Sequence, residues 1–486
     1  MRLILRFVSR NIFLIFLIIF FGFLFFFRLG WQTLGSWDEA WYGSIAREIV
    51  KSGDIFHLNW NGFPFYDHPP MGFWLTAISY KVFGISEFTT RLPSAILGLF
   101  SILLTYLVGV KLSKEKLVGL SAAMILGTSV WYVIRVRSGN LDSIFVFFYI
   151  LTIYAALRTA RNIKWFPLTM IAFGALMTTK TLVGVSALPV IIFIIFTQII
   201  KFRSNYRWIV LGLILFAIVV LPWYWINYLK YSDFIQHHFF EIGTRKKSFT
   251  SYLNLQYELP LFYLHMGIRK WYYLWIGSFS YLIVSFRFLK KNIFILLFWN
   301  AVILYPFLTT DQTQIWHLIP VYIVVALIVA WGILDGGLLF LKFAQYLDIA
   351  RIKKYKKLTN NIVKTMCFIF IFFIAFLQVK TFYYEIIPQN KYIPDDVDIS
   401  MKVSQYDAHI FLDDDYLPLA VFYSVRTMRQ MSFELEERHT LVNLFNSNNE
   451  PFIAITRNWA LNNLKENNIQ YKILEQNNSF SIITKP

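Results

Sequence analysis

The chain has 486 residues, of which 57% are hydrophobic, 19% aromatic and only 15% charged. Soluble domains carry about 25% charged side chains, so this composition excludes a soluble globular protein and indicates a polytopic membrane protein. The formal net charge of +18 does not signal nucleic acid, because the Lys and Arg residues fall in short clusters between apolar runs, where they act as topology signals.

A membrane-crossing helix needs about 20 mainly apolar residues. The first apolar run, 11–27, follows Arg2, Arg6 and Arg10. It is longer than a signal-peptide core and precedes no small-residue cleavage site, so it reads as a retained span. Further spans are expected near 92–110, 117–134, 141–157, 165–178, 183–200, 208–226, 272–287, 293–308, 315–334 and 361–379. That makes about eleven, within a range of roughly ten to thirteen, since 71–83 and 255–268 are apolar but short. Basic clusters around Arg2, Lys111, Arg158, Lys201, Arg287 and Lys353 all fall on one side, which the positive-inside rule makes the cytoplasm. The expected location is therefore the inner (plasma) membrane, with the N-terminus cytoplasmic and 29–91, 135–140, 179–182, 227–271, 309–314 and the tail outside. Cys367, the single cysteine, lies in an apolar run and leaves no intramolecular disulfide or thiolate metal cluster to consider.

The first outer loop, 29–91, holds two helix-like pieces. In GSWDEAWYGSIAREIVKSGD, Ser36 and Glu39 fit a capping box and Gly53 a C-cap, predicting a helix over about 37–52. Trp37, Trp41, Ile45 and Ile49 form an apolar stripe suited to the membrane interface. At 100° per residue Glu39 points away from that stripe. Asp38 falls on the apolar side, where a carboxylate has no structural reason to be. The second piece begins at Pro69 and ends before Gly84; Asp67 and His68 precede it, as helix caps or as positioned functional groups.

Outside cations run against the orientation rule: Arg135, Arg137, Lys180, Arg245, Lys246, Lys247, Arg269 and Lys270. They either line an outward-opening cavity that attracts an anion or snorkel to lipid phosphates. Asp142 lies on the same face, where an ordinary salt bridge or a Ser138/Asn140 cap also accounts for it. Asp67, His68, His237, His238 and His265 could offer oxygen and imidazole ligands to a divalent metal, although their spacing matches no standard site; no other cofactor is required. From about 390 the chain turns polar, and apolar strand-like runs alternate with helix-like segments, predicting a small α/β domain over 390–486 outside the membrane. Residues 1–385 are then the transmembrane domain.

The outer-loop stretches, together with RVRSGNLDSIFVFF, FGALMTTKTLVGVSALPV, LPWYWINYLKYSDFIQHHFFEI and TQIWHLIPVYIVVAL, resemble the bacterial GT-C glycosyltransferases related to protein O-mannosyltransferases and the aminoarabinose-to-lipid-A transferase. The resemblance runs through residues 11–335 in order. It implies an inverting transferase that takes a polyprenyl-phosphate-linked sugar on the external face and passes the sugar to lipid A, another envelope glycan or a protein. Asp38 resembles the family's catalytic carboxylate, Asp67 and His68 the pair before the two prolines, Asp142 the third-motif aspartate and Lys180 the Thr-Lys lysine. Many relatives have lysine at the place of His68, and Gln314 and His317 stand where the late motif usually carries a phosphate-binding lysine. That shifts the phosphate role toward Arg137, Lys180, His68 and Arg245, and leaves Asp67, Asp142, Gln314 and His317 to orient sugar or acceptor. Such a reaction needs a base for the attacking hydroxyl, here Asp38, and cations for the departing phosphate. A polyprenyl-linked sugar flippase or exporter is the competing class, but it would carry mid-span ionisable groups and repeated halves. A non-catalytic scaffold would leave Asp38, Arg137 and Lys180 unrelated.

Overall fold

The computed structural model describes residues 2–196, 206–244, 255–285, 292–309, 313–346, 356–431, 440–448 and 450–486. Five described helices are long and apolar enough to cross a membrane: Glu87–Ser113, Asp142–Thr159, Tyr206–Lys230, Val321–Phe343 and Lys357–Ile386. The pair Lys116–Gly127 and Val130–Val136, bent by 70°, makes a sixth if it is one span. Shorter apolar helices, Asn11–Phe26, Ile163–Met177, Val183–Phe196 and Asn292–Leu308, occupy four more expected spans, and Trp271–Val284 lies at the span expected near 272–287.

The described chain divides into two compact units that do not follow chain order. The first comprises Met1–Phe27, Tyr66–Gly72 and Ser94–Ile387. Its centre is the helix Val321–Tyr346, in which each of residues 321–330 is at most 1% exposed. A helix that is apolar all round can be stable only when it is sheathed all round. The sheath is Lys116–Gly127, Trp271–Val284, Asn292–Leu308 and Lys356–Ile386. By contrast, only 17% of the apolar window of Tyr206–Lys230 is buried. Val210, Leu213, Ile218, Leu221 and Trp225 stand exposed along it, a surface that only lipid covers favourably.

Close helix contacts depend on small residues. A Cβ at Gly119 would lie 2.7 Å from the Tyr106 carbonyl oxygen, and one at Gly109 would lie 2.8 Å from the Gly119 Cα. Gly119→Val is therefore expected to force the two helices apart at a cost of about 1–3 kcal/mol, seen as a lower Tm of the detergent-solubilised protein. The 70° bend has a local cause as well. Thr128 and Ser129 return their hydroxyls to the carbonyls of Met124 and Ile125, at 2.8 and 2.9 Å, and so satisfy groups the break leaves open. Gln378, fully buried, bridges the same place: its amide nitrogen donates to the carbonyls of Thr128 (3.1 Å) and Ile268 (2.8 Å), and its amide oxygen accepts from the Lys270 N–H.

The second unit comprises Arg28–Phe65, Phe73–Pro93 and Pro388–Pro486. Strands β1 (Asn59–Trp60) and β2 (Phe63–Pro64) form a hairpin. Its two-residue Asn61-Gly62 turn has positive φ at both positions, as a tight hairpin requires. Strands β3 (His409–Asp413), β4 (Arg429–Gln430), β5 (Phe452–Arg457), β6 (Lys472–Gln476) and β7 (Phe480–Thr484) form a sheet in the order β4-β3-β5-β7-β6. The first three are parallel, and β7 runs antiparallel to β5 and β6. Alternate residues of β5 feed two cores. Ile453 and Ile455 pack with the helices Asp395–Val403 and Leu417–Ser424, while Phe452 and Ala454 pack with Thr440–Ser447 and Leu461–Glu466. The α/β layer expected over 390–486 is thus present, with helix Asp395–Val403 and the short β4 as additions. Leu34 and Ala40 of the outer loop belong to the first of these cores. Asn61 pairs with the Met428 backbone through both its amide atoms, at 2.8 Å each.

Candidate functional site

In the first unit, the helix Asp142–Thr159 starts where the Asn140 side chain accepts the Asp142 N–H at 2.7 Å. That cap directs the Asp142 carboxylate, 4% exposed, toward two cations. Arg135, on the short helix after the bend, donates Nε to Oδ2 at 2.5 Å, and Lys180, just before the helix Thr181–Val185, donates Nζ to Oδ1. Asp142 thus holds two cations side by side, and Lys180 and Arg135 retain 19% and 11% of their side-chain exposure. The Arg135 guanidinium also lies 5.7 Å from the Trp316 ring centroid, an arrangement that orients its planar fork. This cluster can hold an anion such as a phosphate.

Arg137, expected among the phosphate-binding cations, meets the end of the first helix. It is buried, and its Nη1 donates to the carbonyls of Leu24 and Phe25 at 2.7 and 3.1 Å. It closes the C-terminal end of the first helix, where a cation also meets the negative end of the helix dipole.

The segment Tyr66–Gly72 brings a second group into this unit. Asp67 Oδ1 meets His237 Nε2 at 2.7 Å, and His237 Nδ1 meets Glu241 at 3.0 Å. The Tyr66 hydroxyl donates to Asp233 at 2.8 Å; burial first, then this carboxylate, push its pKa up to about 12. The two adjacent histidines diverge. Burial pulls His237 down, but its hydrogen bonds to Asp67 and Glu241 outweigh that and raise it above the usual value. Burial dominates for His238 and lowers it, while its Nδ1–H donates to the Tyr66 carbonyl at 2.9 Å. Stability from the His237 contacts is fully present below the ordinary histidine pKa of about 6.5 and is lost as pH climbs through the raised value. His237→Asn should therefore flatten the alkaline decline of Tm between about pH 6 and 9, measured by thermal unfolding across that range.

His68 is half-buried at the end of the same extended segment, and the helix after the prolines starts at Met71 rather than Pro69. The metal set suggested by the sequence does not assemble. His265 lies 5.0 and 5.4 Å from the rings of Tyr272 and Tyr273, and His238 spends Nδ1 on backbone. Among the described residues no three His, Cys, Asp or Glu side chains converge as a metal-binding group. Gln314 and His317 cap each other across a turn of 3-10 helix, Ile315–Leu318, with the Gln314 N–H donating to His317 Nδ1 at 3.1 Å. Arg245 lies outside the described residues.

In the second unit, Asp38 sits half-buried on a single π-helical turn, Ser36–Ala40, which leads into the helix Trp41–Ser52. The expected capping box is absent: Ser36 makes no cap. Instead Glu39 reaches back to the Gly35 N–H at 2.8 Å and is buried against Arg91. The wider turn also breaks the 100° phase, so Trp37 is 54% exposed while Ile45 and Ile49 are buried. Asp38 therefore cannot be placed on the apolar face by counting from Ile45. Trp41 packs against Trp60 and Phe65, with ring centroids 5.4 and 5.5 Å away.

Sequence reasoning missed Arg91, Tyr66, Asp233 and Glu241, and it passed over Arg135 for its neighbour. The one signal for Arg135 was its seven-residue separation from Asp142, two helical turns interrupted by a loop.

Residues 67–225 match the family model of dolichyl-phosphate-mannose-protein mannosyltransferases. An uncharacterized protein of Aquifex aeolicus is 30% identical over 159 residues, 32% of each chain. An undecaprenyl phosphate-alpha-4-amino-4-deoxy-L-arabinose arabinosyl transferase of Pseudomonas savastanoi pv. phaseolicola is 26% identical over 231 residues, 45% of this chain and 42% of that one. The chain thus spans a third to two-fifths of these curated relatives' length. The fold is similar to that of ArnT from Cupriavidus metallidurans bound to undecaprenyl phosphate, with TM-score 0.66, 18% identity and 98% of both chains covered. Over residues 67–225 the chain is thus similar to the dolichyl-phosphate-mannose-protein mannosyltransferases, and its fold as a whole is similar to that of ArnT.

Proposed function

We propose that the protein transfers a sugar from a polyprenyl-phosphate donor to a hydroxyl or phosphate of an envelope acceptor (lipid A, another glycan or a protein) on the external face, with inversion at the anomeric carbon. The observation that carries this reading is Asp142 held between Arg135 and Lys180, which fixes two cations side by side at the start of an apolar helix. When the anomeric carbon–oxygen bond breaks, its electron pair goes to the phosphate, and these two cations stabilise the charge that develops there. Asp38 accepts the proton of an attacking hydroxyl; where the nucleophile is already an anion, it orients that group instead. Asp67, held by His237, orients sugar hydroxyls together with Asp142, and Arg137 supports the cluster from the end of the first helix. The relative's name and the lipid bound to the ArnT structure support a polyprenyl-phosphate donor.

The test is mass spectrometry of envelope lipids, glycans and proteins from cells with and without the gene. A component lighter by one sugar residue in the deletion, restored by the wild-type gene, is the expected result. An exporter would instead leave a lipid-linked intermediate accumulating, and identical profiles in all three fractions would overturn the reading.

A further inference from the structure

The turn that carries Asp38 is held from outside itself. A single π-helical turn is a rare conformation found mostly at functional positions, and Ser36 gives this one no cap: its Oγ is shielded without a partner among the described residues. The restraint comes from Arg91, in the same unit. Its Nε and Nη2 grip both oxygens of Glu39, the neighbour of Asp38, at 2.7 and 2.8 Å. Its other donors reach the carbonyls of Leu29, Gln32 and Thr33 at 2.9, 2.8 and 2.8 Å. All five N–H donors of the guanidinium are thus spent on the Asp38 turn and the strand of chain entering it. A second tier comes from the α/β layer. The Tyr423 hydroxyl accepts the Leu34 N–H at 2.9 Å and donates to Glu87 at 3.0 Å. Leu34 and Ala40 share an apolar core with Ile410, Leu412 and Val421. Arg47, also buried, donates to the last carbonyls of the helix Leu417–Ser424, those of Val421 and Phe422, at 3.0 and 2.6 Å.

We infer that Arg91 and Tyr423 are positioning residues for Asp38, and that the C-terminal α/β layer belongs to the catalytic apparatus as its scaffold rather than serving as a separate recognition module. The inference rests on the reading of Asp38 as the group that serves the nucleophile. Lysine has three donors and no planar fork, so Arg91→Lys keeps the charge but releases part of the grip. Displacements of about 1 Å cost on the order of a hundredfold in rate, which makes a turnover readout sensitive.

The experiment uses full-length Arg91→Lys, Tyr423→Phe and Asp38→Asn. Each is scored for the sugar increment it restores to deletion cells and for undecaprenyl phosphate binding in nanodiscs by native mass spectrometry. Product formation should fall about tenfold or more in Arg91→Lys and less in Tyr423→Phe, with undecaprenyl phosphate binding unchanged in both. That split between turnover and binding would not arise from general loss of packing. Wild-type product in both variants beside an inactive Asp38→Asn overturns the positioning role alone. Wild-type product in Asp38→Asn overturns the assignment of Asp38 and the inference with it. Should Arg91→Lys fail to accumulate, Tyr423→Phe decides.

Discussion

Lys180→Met is expected to reduce sugar transfer by roughly a hundred- to a thousandfold, the range seen when one preorganised donor to a developing oxyanion is removed. The logic lies in the stoichiometry of the cluster. Asp142 keeps its pairing with Arg135, so losing Lys180 removes one cation while leaving the buried carboxylate paired. The variant should therefore fold and lose turnover. Asp142→Asn should behave differently. It takes from both cations the buried carboxylate between them, and breaking a buried pair in this way costs about 3–5 kcal/mol. It should accumulate poorly as well as turn over slowly. Comparing product formation per molecule of folded protein separates the two, and a Lys180→Met enzyme at wild-type turnover would remove the cluster from the mechanism.

Gln378→Leu should produce the largest loss of stability of any single change considered. Its side chain serves two carbonyls and one N–H where the 70° bend meets the start of the helix Trp271–Val284. Leucine fits the volume but leaves those backbone groups buried in an apolar region without partners, at about 1–3 kcal/mol each. Gln378→Glu would keep the acceptor and remove the donors. A thermal-unfolding series in one detergent should rank wild type above Gln378→Glu and Gln378→Leu. Equal Tm values for all three would mean that the bend is held by packing alone.

What could be read from the sequence divides along physical lines. Apolar length is local and additive, so the expected spans fall on described apolar helices, the one near 117–134 on a pair bent by 70°. The strands other than β4 and most helices of the α/β layer were legible for the same reason, because period and turn residues are written locally. Pairings made across a bend were not legible. Arg135 and Arg137 are indistinguishable in RVRSGNLD until the angle of their short helix is known, and that angle depends on Thr128, Ser129 and the distant Gln378. The capping box failed in a similar way. Ser36 and Glu39 have the right spacing, but Arg91 binds Glu39 with ion-pair strength and draws the turn into a wider coil than 100° reasoning allows. Long-range arginines were the recurrent blind spot, because nothing in a window around Glu39 announces a partner fifty-two residues away.

The sheathed central helix also has a consequence for biogenesis. Residues 321–330 meet no lipid in the finished protein, yet the segment is apolar enough to enter a bilayer as it leaves the ribosome. Part of its wrapping, Lys356–Ile386, is synthesised only afterwards. The nascent chain must therefore hold this helix as a lipid-solvated guest until the last span arrives to enclose it. Quality-control proteases should recognise a chain that stops before residue 356 by the uncovered flank of its own core.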